Sequence, residues 1–184
     1  MAFLLDLWLP ILLSGVLVFV ASSLFHILST HHKSDYAGLP DEGAVAGLKD
    51  VEPGNYMVPH AVSFQAMKES DWGERLKNGP VAVINLRPKG QTGMGSALWQ
   101  WFAYSLLVGV FCAYLGSLSL TAEAEYFDKF QITSTVAFLG YAFLGFQEAT
   151  WKGGKWSTAF KFMFDGTVYA LLTGGTFAGL WPGA

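Results

Sequence analysis

The stretch LWLPILLSGVLVFVASSLFHILSTHH, residues 7–32, contains no Asp, Glu, Lys or Arg. Three further windows also lack charged residues: 90–122, 130–147 and 166–184. A helix needs about 20 mostly apolar residues to cross the hydrocarbon core of a bilayer. We therefore predict an integral membrane, all-α fold with four transmembrane helices, near residues 3–28, 96–118, 130–149 and 158–181.

The composition supports a membrane protein over a soluble one. Hydrophobic residues make up 52% of the chain and charged residues only 14%, against about 25% charged in typical soluble domains. A soluble protein with buried helices would show amphipathic faces, which these windows lack. The first window has neither a preceding basic residue nor a small-residue cleavage site, so an uncleaved helix is favoured over a signal peptide.

Basic residues predict the orientation of the helices. Of the eleven Lys and Arg residues, only Lys129 lies outside two segments. These segments are the long connection after the first helix and the TWKGGKW turn with the helix start that follows it. Because cytoplasmic loops carry the excess of Lys and Arg, both segments are predicted in the cytoplasm and both termini outside. The predicted location is the bacterial inner membrane, with several passes. A net charge of −3 does not suggest a nucleic-acid partner.

The domain organisation follows from these spans. Residues 1–28 form the first transmembrane helix, 29–95 a small cytoplasmic α+β insertion, and 96–184 a three-helix transmembrane segment. Within the insertion, we predict a helix over FQAMKESDWGERLKNG, which Gly79 and Pro80 end. VAVINLRP alternates and is rich in β-branched residues, so it reads as a strand.

Small residues recur four apart on two of the predicted helices. Such stripes let another backbone approach closely in a membrane. The fourth helix carries Gly166, Ala170, Gly174 and Ala178, and the second carries Gly109, Ala113 and Ser117. We expect the fourth helix to pack on the second or on another subunit. The predicted partners are the lipid bilayer and either other membrane subunits or a second copy of the chain.

The predicted topology gathers the most deeply embedded polar groups at one depth, near the cytoplasmic ends of the helices. They are His26, Gln100, Gln147, Glu148, Asp165 and Tyr169. An ionisable group inside a bilayer costs about 2.5–3.5 kcal/mol on insertion scales, so it is usually paired and often functional. Two interpretations stay open. One is a polar pocket open to the cytoplasm that binds an ion, a proton or a lipid head group. The other is a structural cluster in which Asp165 pairs with Lys161 or caps a neighbouring helix.

Three histidines lie at the end of the first apolar run, and a metal site is one possible role for them. His26, His31 and His32 are five and six residues apart, unlike the four-residue spacing of a helical metal pair. They would converge only if the helix ended between them, with help from Asp35 or Glu148. The sequence alone therefore predicts no metal ligand, no cofactor and no catalytic residue.

Three motifs carry a resemblance to a known family. They are HKSDY at residues 32–36, GPVAVINLRPKG before the second helix, and a C-terminal hairpin with Trp151, Gly153 and Trp156 in a W-x-G-x-x-W pattern. In these motifs the chain resembles a family of small four-helix bacterial inner-membrane proteins, classified as a domain of unknown function. The resemblance implies the fold and the bacterial membrane, and it implies no activity.

Three functions stay open on this basis. The preferred one is a non-enzymatic accessory or structural subunit of a membrane assembly, because two packing stripes occur without a recognisable catalytic set. The first alternative is a small transporter or membrane enzyme that uses the polar groups at the cytoplasmic side of the bundle. The second alternative is a protein that binds a metal or a cofactor at the inner membrane surface.

Overall fold

The computed structural model describes residues 2–68, 70–90 and 93–182. Within these ranges the chain is mostly helical, with seven α-helices and one small sheet. It divides into two compact units, a helical unit of Met1–Ala37 with Met94–Ala184 and a smaller unit of Gly38–Gly93. The predicted helical class is confirmed.

In chain order, the α-helices are α1 (Phe3–Asp6), α2 (Trp8–Ser23), α3 (Ser70–Asn78), α4 (Gly95–Ser119), α5 (Tyr126–Tyr141), α6 (Leu144–Lys152) and α7 (Trp156–Gly179). A π-helical turn over Leu24–Leu28 continues α2. All of these except α3 belong to the helical unit. They correspond to the four predicted helices, except that the first is interrupted at Leu7 and the third is divided at Ala142 and Phe143.

The smaller unit contains the expected helix and strand. Its strands β1 (Gly54–Val58) and β2 (Ala82–Leu86) pair antiparallel, with Gly54 opposite Leu86 and Val58 opposite Ala82. In chain order, a 3₁₀ segment at Glu42–Leu48 precedes β1, and α3 follows β1 and precedes β2. The unit begins at Gly38 rather than at residue 29, because residues 31–35 form turns that bond to α7.

Two segments of the described residues are long and apolar enough to cross a membrane, Trp8–Leu28 and Gly95–Ser119. The third predicted span is divided between α5 and α6, so neither half has the length of a span. The fourth, α7, has 24 residues, but its Gly and Thr residues and the charged Lys161 and Asp165 make it less apolar. By length and composition the structure therefore supports membrane association through two helices.

Helix α2 places small residues inside the bundle and large apolar ones outside. Its buried positions include Ser14, Gly15, Val18 and Ser22. Its exposed positions include Leu12, Leu13, Val16, Leu17 and Val20. Soluble proteins rarely expose a continuous apolar surface of this kind. Small residues at helix contacts are typical of membrane bundles. This distribution favours lipid around the helix.

The small-residue stripe of α7 packs on α5 and its end, whereas the sequence predicted packing on the second helix or on another subunit. A Cβ atom added to Gly166 would lie 2.7 Å from the Cα atom of Ala142, and one on Gly174 would lie 2.6 Å from the Cβ atom of Ser134. Ala170 and Ala178 on the same stripe are buried.

The stripe of α4 is used inside the bundle only in part. A Cβ on Gly109 would lie 3.4 Å from the backbone of Ile11, so this glycine faces α2. Ala113 is fully buried. Ser117, in contrast, is exposed and donates its hydroxyl hydrogen bond to the carbonyl of Tyr114. The stripe therefore loses its packing role at Ser117, two residues before α4 ends.

Candidate functional site

The chain changes direction directly after α2. In the π-turn, the backbone N–H of Ser29 donates to the carbonyl of Leu24 at 3.0 Å, which closes a turn one residue wider than an α-turn. The Ser29 side-chain oxygen then accepts a hydrogen bond from the His31 N–H at 3.2 Å. Two further turns follow within residues 30–35. As a result the His32 and Asp35 side chains meet, with Nδ1 and Oδ2 2.6 Å apart.

Asp165, on α7, lies against this turn and is only 1% exposed. Its Oδ2 atom lies 2.7 Å from His32 Nε2. Its Oδ1 atom lies 3.4 Å from His31 Nε2. The His32 ring therefore bridges two carboxylates, Asp35 from its own turn and Asp165 from α7.

The turn is also held by the first part of α7. Lys161 Nζ donates to Asp35 Oδ1 at 2.8 Å and to the Ser34 hydroxyl at 2.8 Å. Thr158 Oγ1 lies 3.3 Å from the same Asp35 oxygen. Lys155 Nζ donates to the Ser34 carbonyl at 2.9 Å. These bonds connect two helical turns of α7 to residues 34 and 35.

Asp35 is ionised in this setting. Burial by itself raises the pKa of the Asp35 carboxyl, but the hydrogen bonds and positive charges of Lys161 and His32 outweigh burial. The net effect holds the pKa of Asp35 below the ordinary value of an aspartate. Its carboxylate therefore acts as a fixed acceptor for the Nδ1–H group of His32.

His26 lies in the π-turn and stacks on His32, with ring centroids 4.1 Å apart and ring planes 13° apart. Its Nδ1 atom lies 3.0 Å from the Ser22 carbonyl oxygen. A carbonyl can only accept, so this contact places the proton on Nδ1 and leaves Nε2 with a free lone pair. One ligand atom each from His26, His32 and Asp165 lies within 4.8 Å of the others.

The site contains two buried carboxylates, those of Asp35 and Asp165. The Lys161 ammonium contacts Asp35 and the Lys155 ammonium contacts the neighbouring Ser34 carbonyl, whereas Asp165 faces histidines. Both carboxylate side chains are at most 4% exposed, and an uncompensated charge is costly in such surroundings. A metal ion bound beside Asp165 would place a positive charge next to this carboxylate.

Three buried polar atoms here lack a hydrogen-bond partner among the described residues: His31 Nε2, Asp165 Oδ1 and Tyr169 Oη. Buried polar atoms are almost always satisfied, so each such group needs an explanation, for example an ion or a water molecule. Two of them, His31 Nε2 and Asp165 Oδ1, lie at the contact between His32 and Asp165. Tyr169 lies one helical turn further along α7.

The predicted polar layer is found only in part. Asp165 and Tyr169 are buried, and His26 adjoins the site although it is an exposed residue. Gln100, Gln147 and Glu148 are exposed, and Glu148 forms an i,i+4 ion pair with Lys152. The layer was predicted from depth alone, which does not determine the side of a helix to which a side chain points.

Sequence reasoning placed His31 and His32 at the interface and therefore missed them as partners of Asp165. The three histidines were expected to converge only if the helix ended between His26 and His31, and the helix does end there, at Leu28. The predicted pairing of Lys161 with Asp165 is also wrong, since Lys161 binds Asp35. A usable signal was the His-x-x-Asp spacing of residues 32 and 35, which suits a pair within one turn.

Comparisons with protein-family models, curated proteins and solved structures found no match to this chain. What the protein does must therefore be inferred from the site formed by the π-turn, residues 31–35 and α7.

Proposed function

We propose that this chain is a multi-pass protein of the bacterial inner membrane that binds a divalent metal ion at the cytoplasmic surface of its helical bundle. The observation that carries this proposal is the convergence of His26, His32 and Asp165, whose ligand atoms lie within 4.8 Å of one another.

The proposed topology has four spans, with both termini outside. The 24 residues of α7 correspond to about 36 Å, enough to cross the bilayer core. Helices α5 and α6 together would make the third crossing. The Lys and Arg distribution supports this direction of the helices. The resemblance to small four-helix bacterial membrane proteins, carried by the hairpin around Trp151 and Trp156, is consistent with it.

The surroundings of the three candidate ligands suit metal binding. Histidines that bind a metal almost always donate their other ring N–H to a carboxylate or a carbonyl. His32 has Asp35 in this position, and His26 has the Ser22 carbonyl. Zn²⁺ holds nitrogen and oxygen ligands at about 2.0–2.2 Å. The more widely spaced ligand atoms would therefore move closer together around the ion, while His32 Nε2 and Asp165 Oδ2, now 2.7 Å apart, would separate slightly.

The metal-binding function is preferred over an accessory subunit because the packing stripe of α7 has a partner within the chain. Gly166 and Gly174 both approach residues of α5 or its end, so they do not require another subunit. A transporter or membrane enzyme would use the same Asp165 region, and metal binding would be one of its properties.

The central test is metal binding by the purified protein. The chain is produced with an affinity tag that contains no histidine, purified in mild detergent, stripped with a chelator and titrated with Zn²⁺ by calorimetry. We expect one ion per chain. His32→Gln should lower the affinity by more than about tenfold, since loss of only an outer partner of a metal ligand costs about 10–100-fold.

His60→Gln is the matched control for this titration, because His60 is exposed in the smaller unit. Its affinity should equal that of the wild type. A stripped wild-type protein that takes up no Zn²⁺, or a His32→Gln protein that binds it as tightly, would contradict the proposal.

The topology is tested by labelling introduced cysteines in intact spheroplasts with a membrane-impermeant maleimide. Glu123→Cys and Lys152→Cys alter exposed positions that the proposed topology puts on opposite sides of the membrane. The native Cys112 is fully buried, so it contributes little background. We expect labelling at position 123 at once, and at position 152 only after permeabilisation. The reverse pattern would show that the orientation is inverted.

A further inference from the structure

Building on the proposed function, we infer that His31 is the fourth ligand of the same ion. The shell then contains three imidazoles and one carboxylate, and it selects a transition-metal dication of the zinc class. This inference names a ligand outside the group of His26, His32 and Asp165, and it fixes the class of ion and the kind of site.

The first observation is an unpartnered pair of atoms. His31 Nε2 and Asp165 Oδ1 are both buried, and neither has a hydrogen-bond partner among the described residues. They lie 3.4 Å apart, although the His31 side chain as a whole is 31% exposed. The ring therefore turns its Nε2 atom away from solvent and toward a carboxylate oxygen, at ion-pair distance but outside hydrogen-bond geometry. An ion between the two groups would satisfy both atoms.

The second observation is the packing that holds His31 in this orientation. Its ring lies edge-on to His32, with centroids 4.8 Å apart and planes at 80°. Phe164 of α7 and Phe25 of the π-turn lie beside it, with ring centroids 5.8 Å and 6.3 Å away. The imidazole is thus fixed between apolar rings next to Asp165, which lowers the entropy lost when it binds an ion.

The donor set determines the class of ion. Imidazole nitrogens suit Zn²⁺, Cu²⁺, Ni²⁺ and Fe²⁺. Ca²⁺ takes six to eight oxygen ligands, and Mg²⁺ prefers octahedral oxygen coordination that includes several waters. A shell with three nitrogens and one carboxylate therefore discriminates against both of these abundant cations.

Four protein ligands also determine what the ion does. Structural zinc sites are closed by four protein ligands, whereas catalytic sites keep a position open for water or substrate. Here the ligands come from three places: the π-turn supplies His26, the following turn supplies His31 and His32, and α7 supplies Asp165. An ion held by four protein ligands would connect the cytoplasmic end of the first long helix to α7, the last helix.

The test uses Co²⁺ as the probe, because four-coordinate Co²⁺ absorbs visible light far more strongly than six-coordinate Co²⁺. The stripped full-length protein should give the strong spectrum, and an excess of Mg²⁺ or Ca²⁺ should not reduce it. His31→Gln and His31→Ala should give the weak spectrum of a higher coordination number. Their Zn²⁺ affinity should fall by more than about tenfold. His60→Gln should behave as the wild type.

The outcomes separate the two proposals. If both His31 variants are monodisperse and keep the strong spectrum and the wild-type affinity, His31 is not a ligand, and the proposed function still stands. If Mg²⁺ displaces Co²⁺, the site is not of the zinc class. If the wild type binds neither Co²⁺ nor Zn²⁺, the proposed function itself fails. Imidazole added to His31→Ala should restore the strong spectrum, which loss of folding would not allow.

Discussion

Asp165→Asn is expected to lower Zn²⁺ affinity by at least about 100-fold while the bundle stays folded. Asp165 supplies the one carboxylate of the proposed shell, and its Oδ2 atom lies 2.7 Å from His32. Removal of a direct ligand should cost at least as much as the about 10–100-fold that outer partners cost. Asn has the same shape, and its amide oxygen can still accept a hydrogen bond from His32. The substitution also removes the negative charge that attracts the ion.

The measurement for Asp165 combines calorimetric titration with size-exclusion chromatography in detergent. Asp128→Asn makes the same chemical change at an exposed position of α5 and should leave the affinity unchanged. Unaltered Zn²⁺ binding by a folded Asp165→Asn protein would rule out this metal centre. Loss of the folded protein would instead support the structural cluster that the sequence left open.

Gly166→Ala is expected to destabilise the bundle by about 1–3 kcal/mol, the usual cost of excess volume in a well-packed interior. The new methyl group would lie 2.7 Å from the Cα atom and 2.9 Å from the backbone nitrogen of Ala142. Backbone atoms cannot rotate away as a side chain can. Helix α7 would therefore have to move away from the junction between α5 and α6.

The control for Gly166 is Gly179→Ala, on the same helix, where an added Cβ meets no atom within 4 Å. Alanine favours a helix over glycine by up to about 1 kcal/mol, so this variant should be neutral or slightly more stable. Thermal unfolding in detergent compares the two. Equal midpoints would show that α7 does not pack on α5 as closely as described.

Much of the fold could be predicted because it depends on local composition. The charge-free window from residue 7 to 32 predicts a helix, and α2 with its π-turn covers Trp8–Leu28. The interruption at Ala142 and Phe143 was not predicted, because neither residue is a helix breaker. There the backbone meets α7 at Gly166, so the break depends on a tertiary contact that no local pattern records.

The site was predicted less completely, for a related reason. The cost of a buried charge singled out Asp165, since that cost follows from its position in an apolar helix. Its partners depend on where α2 ends and on how the chain then turns. His32 meets Asp165 across 133 positions of sequence, and Asp35 meets Lys161 across 126. Single-sequence patterns carry no information on such contacts.

The π-turn over Leu24–Leu28 determines the direction, around the helix axis, in which the chain leaves the first long helix toward the site. Its i,i+5 hydrogen bond accommodates one more residue than an α-turn. Ser14, Val18 and Ser22 of α2 therefore remain buried in the bundle, while the chain beyond Leu28 leaves the helix in a different direction and approaches α7. Loss or gain of one residue in this turn would rotate the chain beyond it, with His31 and His32, by about 100° relative to α2. Chain length in this turn is therefore constrained as strictly as the ligands themselves.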